Sequence, residues 1–130
     1  MPLVVWDDAY CIGVAEFDAE HRDLMEIINT LADQIAAGAP AAVLATTCDG
    51  LIAHTVTHFD HEESRFAGYP RAEEHRQMHD RLKTQAGAFR QAVGNGNAQE
   101  GLRFISDLIA HHITGEDKVF GAWLAPAGLR

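Results

Sequence analysis

The sequence predicts an all-α fold, an antiparallel up-down-up-down four-helix bundle with an extended N-terminal arm. Three observations lead there. Apolar residues recur at steps of three and four in four separate stretches. Clusters of glycine, proline and asparagine divide those stretches at short intervals. No apolar–polar alternation long enough for a strand is present. Short connections between helices of similar length favour antiparallel neighbours.

The expected organisation is one domain over residues 1–130, which suits a single buried core. Residues 1–17 read as an arm laid across the bundle, with Trp6 as its anchor. Helix one is expected over about 18–38. Asp18 serves as N-cap with Glu20 behind it, and His21, Leu24, Ile28, Leu31 and Ile35 form one face. Gly38 and Pro40 end it. Helix two is expected over about 41–67, with Leu44, Cys48, Leu51, Thr55, His58 and Glu62 facing inward. Gly68-Tyr69-Pro70 breaks the chain. Helix three, about 71–93, carries His75, His79, Leu82, Ala86, Phe89 and Val93 on one face. After the turn cluster Gly94-Asn95-Gly96-Asn97, helix four spans about 98–122 with Leu102, Ile105, Ile109 and His112, then Asp117.

Bulk composition narrows the function. The chain is 47% hydrophobic and 22% charged, ordinary for a globular protein. Its formal charge of -9 argues against a nucleic-acid or anionic-membrane partner, which needs a basic face. No apolar run approaches the roughly 20 residues of a membrane span. MPLVVWDDAY lacks the basic and apolar regions of a signal peptide, so a cytoplasmic location is expected. Cys11 and Cys48 have no metal or redox spacing and read as free thiols, Cys48 in the core. The eight histidines are what the composition leaves to be explained.

In an antiparallel bundle the start of helix one lies level with the end of helix two, the start of helix three and the end of helix four. His21 sits at the first of these places, and His58 and Glu62 at the second. His75 and His79 open helix three, while His112 and Asp117 close helix four. Seven polar groups therefore converge on one layer at one end of the bundle, on the faces that carry the core leucines. Burying them without partners would cost several kcal/mol each. Imidazoles and carboxylates together are a ligand set for iron, zinc or manganese, and a bundle core commonly holds such a site.

The residues Trp6, Gly13, Asp18 and His21, then His58-Phe59-x-x-Glu62-Glu63, His75-x-x-x-His79 and His112-x-x-x-x-Asp117, resemble the signature of the hemerythrin family in its bacterial form. The resemblance spans nearly the whole chain. It implies a non-haem di-iron centre, two ferrous/ferric ions with a bridging oxo or hydroxo group, that binds O2 reversibly for storage, delivery or buffering. On that pattern His75, His79 and His112 bind one iron, His21 and His58 bind the other, and Glu62 and Asp117 bridge. The His21/His58 iron then keeps one position open to O2, with NO and small anions as further ligands. Leu24, Ile28, Phe59, Ile109 and Ile113 are the expected lining of a dry O2 pocket.

Within helix four, His112 continues the Ile105–Ile109 stripe, whereas His111 aligns with Phe104 and Asp107. Glu116 has the natural same-face spacing from His112, and Asp117 lies about 140° around an ideal helix. The family pattern selects Asp117, which predicts a widened, π-like turn over Ile113–Glu116, helped by Gly115. His54 is expected to face the core as a structural histidine one turn before His58, and His61 to be partly solvated. Five imidazoles among seven ligands lean toward gas carriage. A di-iron enzyme acting on peroxide or nitric oxide and a stand-alone O2 sensor are the alternatives.

Overall fold

A computed structural model describes residues 3–124. Met1 and Pro2 of the expected arm, and residues 125–130 of the expected domain, lie outside the described residues. The chain is helical, with α1 at Ala15–Ala36, α2 at Ala41–Glu63, α3 at Ala72–Gly94 and α4 at Ala98–His112. A π-helical segment, Ile113–Asp117, continues α4 directly into α5, Lys118–Leu124. Consecutive helices pack on one another, and α1 closes the ring against α4. The fold is the antiparallel four-helix bundle that the periodicity predicts. No described helix is long and apolar enough to cross a membrane.

Helix ends follow local chemistry. At the end of α1, Gly38 takes φ +71, and its N–H donates to the Ile35 carbonyl while that of Ala39 donates to the Gln34 carbonyl. This pair of bonds satisfies carbonyls that the helix leaves free, at a backbone angle glycine adopts without strain. Pro40 then sits at the N-cap of α2.

Two boundaries differ from the sequence expectation. α1 begins at Ala15 after Val14, with no side-chain cap, so Asp18 is not the N-cap. Its carboxylate instead reaches back and accepts the Ile12 N–H at 2.8 Å, fastening the arm to the helix. α2 stops at Glu63, four residues early, because the chain turns there to place Phe66 and Tyr69 inside.

The arm is held by Val4, Ile12 and Val14, which are buried, more than by the half-buried Trp6. Val4 N–H donates to Asn29 Oδ1 at 2.8 Å, and Asn29 Nδ2 returns a bond to the Val4 carbonyl at 2.7 Å. Trp6 lies under the Arg22 guanidinium, 4.9 Å from the ring centre. Where the arm crosses the end of the bundle, the Ile12 backbone packs directly on Gly121 of α5, and a Cβ there would overlap the Ile12 carbonyl. A Gly121→Ala substitution should therefore cost about 1–3 kcal/mol through overpacking. For a domain of this size that lowers Tm by roughly 4–12 °C. Thermal denaturation followed by circular dichroism checks this, and an unchanged Tm would mean the arm is not docked.

Candidate metal centre

The fold carries His21 on α1, His58 and Glu62 on α2, His75 and His79 on α3, His112 at the end of α4 and Asp117 at the end of the π segment to one level. All seven are buried, with 8% exposure at His112 and 2% or less at the others. Their potential ligand atoms form two groups, each within 4.8 Å across: Glu62, His75, His79, His112 and Asp117, and His21, His58, Glu62 and Asp117. Glu62 and Asp117 belong to both.

Every imidazole turns Nε2 toward these carboxylates. His58 Nε2 lies 2.9 Å from Glu62, His79 Nε2 3.2 Å from Glu62, His75 Nε2 2.9 Å from Asp117, His112 Nε2 3.0 Å from Asp117 and His21 Nε2 3.2 Å from Asp117. His21 and His58 also bring their Nε2 atoms within 2.9 Å of each other. Several of these approaches are close but out of line for hydrogen bonding. Both Glu62 oxygens, Asp117 Oδ2, His79 Nε2 and His112 Nε2 are buried without a hydrogen-bond partner among the described residues. Orphaned buried polar atoms are costly and rare. Here they all point inward from imidazole and carboxylate groups, the donor set a divalent transition metal takes. The residues fit two metal ions.

The electrostatics agree. Burial disfavours charge on His58, yet the Glu20 and Glu62 carboxylates outweigh it and raise the ring to about 10. Burial likewise opposes charge on His75, and Asp117 with Glu62 raises it to about 9. Glu62 is held well below the carboxylate range despite its burial by His21, His58, His75 and His79. Asp117 is lowered too: burial and Glu62 push it up, but His112 and His21 prevail.

The π segment turns Asp117 inward and leaves Glu116 outside. Glu116 lies 3.4 Å from the Arg71 guanidinium at the start of α3. His111 is exposed, in contrast to His112. His54 does not face the core: it lies on the surface 3.8 Å from Asp23, because α2 turns its neighbours Thr55 and His58 inward instead. Both cysteines are free, Cys48 fully buried and Cys11 partly so.

A cavity touches the four-residue side of the site. It offers about 10 Å³ to the centre of a water-sized sphere, close to what one such molecule needs. Leu24, Phe59, Ile109 and Ile113 line it together with His21, His58, His112 and Asp117. Ile28 is buried but outside the lining, one turn farther down α1. Thr55 and Leu82 complete the wall and were not anticipated. Their positions, three residues before His58 and three after His79, carried the signal. The Thr55 hydroxyl is committed to the Leu51 carbonyl at 2.7 Å. Sequence reasoning also missed the aromatic floor, where Phe66 and Phe120 lie 5.0 and 5.6 Å from the His75 ring.

Residues 12–124 match the family model described as hemerythrin HHE cation binding domain. The chain is 30% identical to a bacteriohemerythrin of Ralstonia nicotianae over 98% of this chain and 93% of that protein. It is 29% identical to a bacteriohemerythrin of Methylococcus capsulatus, covering 96% of this chain and 99% of the relative. A crystal structure of wild-type hemerythrin superposes with a TM-score of 0.82 at 28% identity, covering 92% of this chain and 96% of that one.

A ligand imidazole must be neutral to bind metal. The raised values of His58 and His75 mean that both hold protons at pH 7 in the metal-free protein. Metal loading at pH 7 should therefore release at least these two protons per chain, and His21, which despite its burial Asp117 and Glu62 also raise, can add to them; a pH indicator in weak buffer measures the release. The sign for stability follows. Both rings titrate above their usual 6.5, so their contribution to the metal-free fold is complete below pH 6.5 and is lost as pH rises through about 9 and 10. Metal-free Tm should fall over that alkaline window. Loading without proton release would show these rings neutral beforehand.

Proposed function

Because the chain belongs to the hemerythrin family of HHE cation-binding domains, we propose that it binds O2 reversibly at a non-haem di-iron centre. His75, His79 and His112 hold one iron, His21 and His58 the other, and Glu62 and Asp117 are shared. The observation that carries this reading is the inequality of the two ligand groups. One offers five residues and the other four, and the cavity touches both imidazoles of the smaller group. A ligand arriving there meets the metal position with fewer protein donors. The donor set alone also suits zinc or manganese; iron is taken from the family.

When bound, two ferrous ions supply the two electrons that reversible O2 uptake requires. The chain's own residues do the rest. Glu62 and Asp117 hold the two metal positions together with carboxylates that stay ionised. Leu24, Phe59, Leu82, Ile109 and Ile113 wall the cavity with carbon and keep water from the open side, which protects a reduced centre against irreversible oxidation. Phe59 stacks on the His79 ring at 3.9 Å between centres, fixing wall and ligand together. Besides the proposed ligands, the described lining residues include no carboxylate, imidazole, amine or thiol able to act as acid, base or nucleophile. That favours carriage over turnover.

Ferrous loading under anaerobic conditions, followed by O2, tests the reading. A visible band should appear with O2, fade under vacuum and return over repeated cycles. Steady consumption of O2, peroxide or nitric oxide with no recoverable band would replace carriage by catalysis. His75→Ala and His79→Ala should each prevent stable uptake of two metals, measured by metal analysis after desalting. Ile109→Ala should keep two irons, cost about 2–4 kcal/mol of stability and speed oxidation of the oxygenated protein several-fold. Unaltered decay would remove Ile109 from the water barrier.

A further inference from the structure

Five imidazoles enter the site through Nε2, and the opposite ring nitrogens are not treated alike. His58 Nδ1 donates to Glu20 Oε1 at 2.5 Å, and His79 Nδ1 donates to Glu63 Oε2 at 2.9 Å. His21 Nδ1 and His75 Nδ1 are buried with no partner among the described residues. His58 belongs only to the group of four, and His79 only to the group of five. We propose that Glu20 and Glu63 are positioning carboxylates, one for each metal position, and that each can be weakened separately from the other. This proposal rests on the two-metal reading of the site.

Each glutamate is the chain neighbour of a site residue yet serves an imidazole on the next helix. Glu20 precedes His21 on α1 and reaches His58 on α2. Glu63 follows Glu62 on α2 and reaches His79 on α3. The bonds therefore brace α1 to α2 and α2 to α3 at the level of the site. A carboxylate accepting from Nδ1–H fixes the tautomer that leaves Nε2 free for a metal. It also sets the ring angle and makes Nε2 a stronger donor.

Glu20 is itself held in place. Its second oxygen accepts from His61 Nδ1 at 2.6 Å. The far nitrogen of His61 lies 3.4 Å from Glu16, and Glu16 is paired with Arg65 at 2.7 Å. Phe17 lies against the His61 ring, 4.7 Å between centres. His61, which the sequence places merely beside the site, thus helps to aim Glu20. Among the described residues Glu63 has only Arg76, at 3.7 Å, besides His79. The position expected to take O2 therefore has the more firmly built support.

Stepwise zinc titration of the full chain tests this, with imidazole N–H resonances of the zinc-loaded protein recorded by NMR. Wild-type protein should bind two zinc ions and show separate hydrogen-bonded Nδ1–H signals for His58 and His79. Glu20→Ala should weaken one zinc 10- to 100-fold and shift the His58 signal, leaving that of His79. Glu63→Ala should do the converse. Glu20→Gln, which retains an acceptor without the charge, should recover part of the lost affinity. Wild-type affinity and unshifted signals in both alanine variants would overturn the proposal, as would equal weakening of both zincs by either change. Fewer than two zincs in the wild type would remove the two-metal reading itself and this inference with it. Thermal melts of the metal-free variants identify any loss that comes from misfolding.

Discussion

Glu62 and Asp117 are two carboxylates with no exposed surface, placed a few ångströms apart inside an apolar bundle. Taking an ionised carboxylate from water to such an interior costs several kcal/mol even after relaxation. The pair is tolerable only if positive charge gathers round it, from protonated rings such as His58 and His75 in the metal-free chain, or from bound metal where the imidazoles serve as neutral ligands. That requirement dictates the rest of the tip. All four long helices must deliver a group to one level, which an antiparallel bundle does by bringing two starts and two ends together. The level must also be closed to water. Phe66 enters from the turn after α2, Phe120 from α5 and Phe17 from α1, and Phe120 packs on both others, 4.9 Å from Phe66 and 6.0 Å from Phe17.

The same constraint explains the irregular turn that ends α4. In a regular helix Glu116, four residues after His112, would share its face, and Asp117 would point elsewhere. The π-helical stretch Ile113–Asp117 adds the extra residue that brings the fifth position inward. Glu116 is thereby released to Arg71 at the edge of the bundle, a half-exposed pair of small worth to stability. The sacrifice of regular helical bonding is thus tied to placing one carboxylate, and a single-residue change in register would put the longer Glu116 side chain where Asp117 now fits.

The bundle and six of the seven inward groups were readable from periodicity because burial in a helix repeats every three or four residues whatever the residue type. Even Asp117, which breaks that period, was reachable once the family pattern was matched to the chain. Other features were not. Asp18 looks like an N-cap by its chemistry, but an oxygen that can cap a helix can equally hold an incoming arm, and the arm's path is a tertiary fact. His54 sits one turn from His58, yet α2 keeps its inner face narrow and Thr55 takes the buried place. Glu20 reads only as a first-turn acid and Glu63 only as part of the family signature, because their partners lie on other helices, where no spacing rule reaches. The early end of α2 is hidden for the same reason: Phe66 leaves the helix to meet Phe120, more than fifty residues on.

The proposed O2 binding would ask one further thing of the chain, that two metal positions sharing Glu62 and Asp117 should still behave differently. Symmetric use of Glu62 and Asp117 works against that. Asymmetry has to come from whatever is not shared, and here it comes from three sources. One group has three imidazoles and the other two. The cavity touches both imidazoles of the smaller group and only His112 of the larger. The outer hydrogen bonds differ as well, with a clamped glutamate behind His58 and a looser one behind His79. The first sets how many places the protein leaves open, and the second decides which of them a small molecule can reach. On the proposed reading, the third governs how strongly the reachable side is held while it changes its ligands. A position meant to gain and lose a ligand repeatedly needs its remaining donors fixed most firmly, because an imidazole that swings away lets water in. The better-built support lies on the side where that risk is greatest.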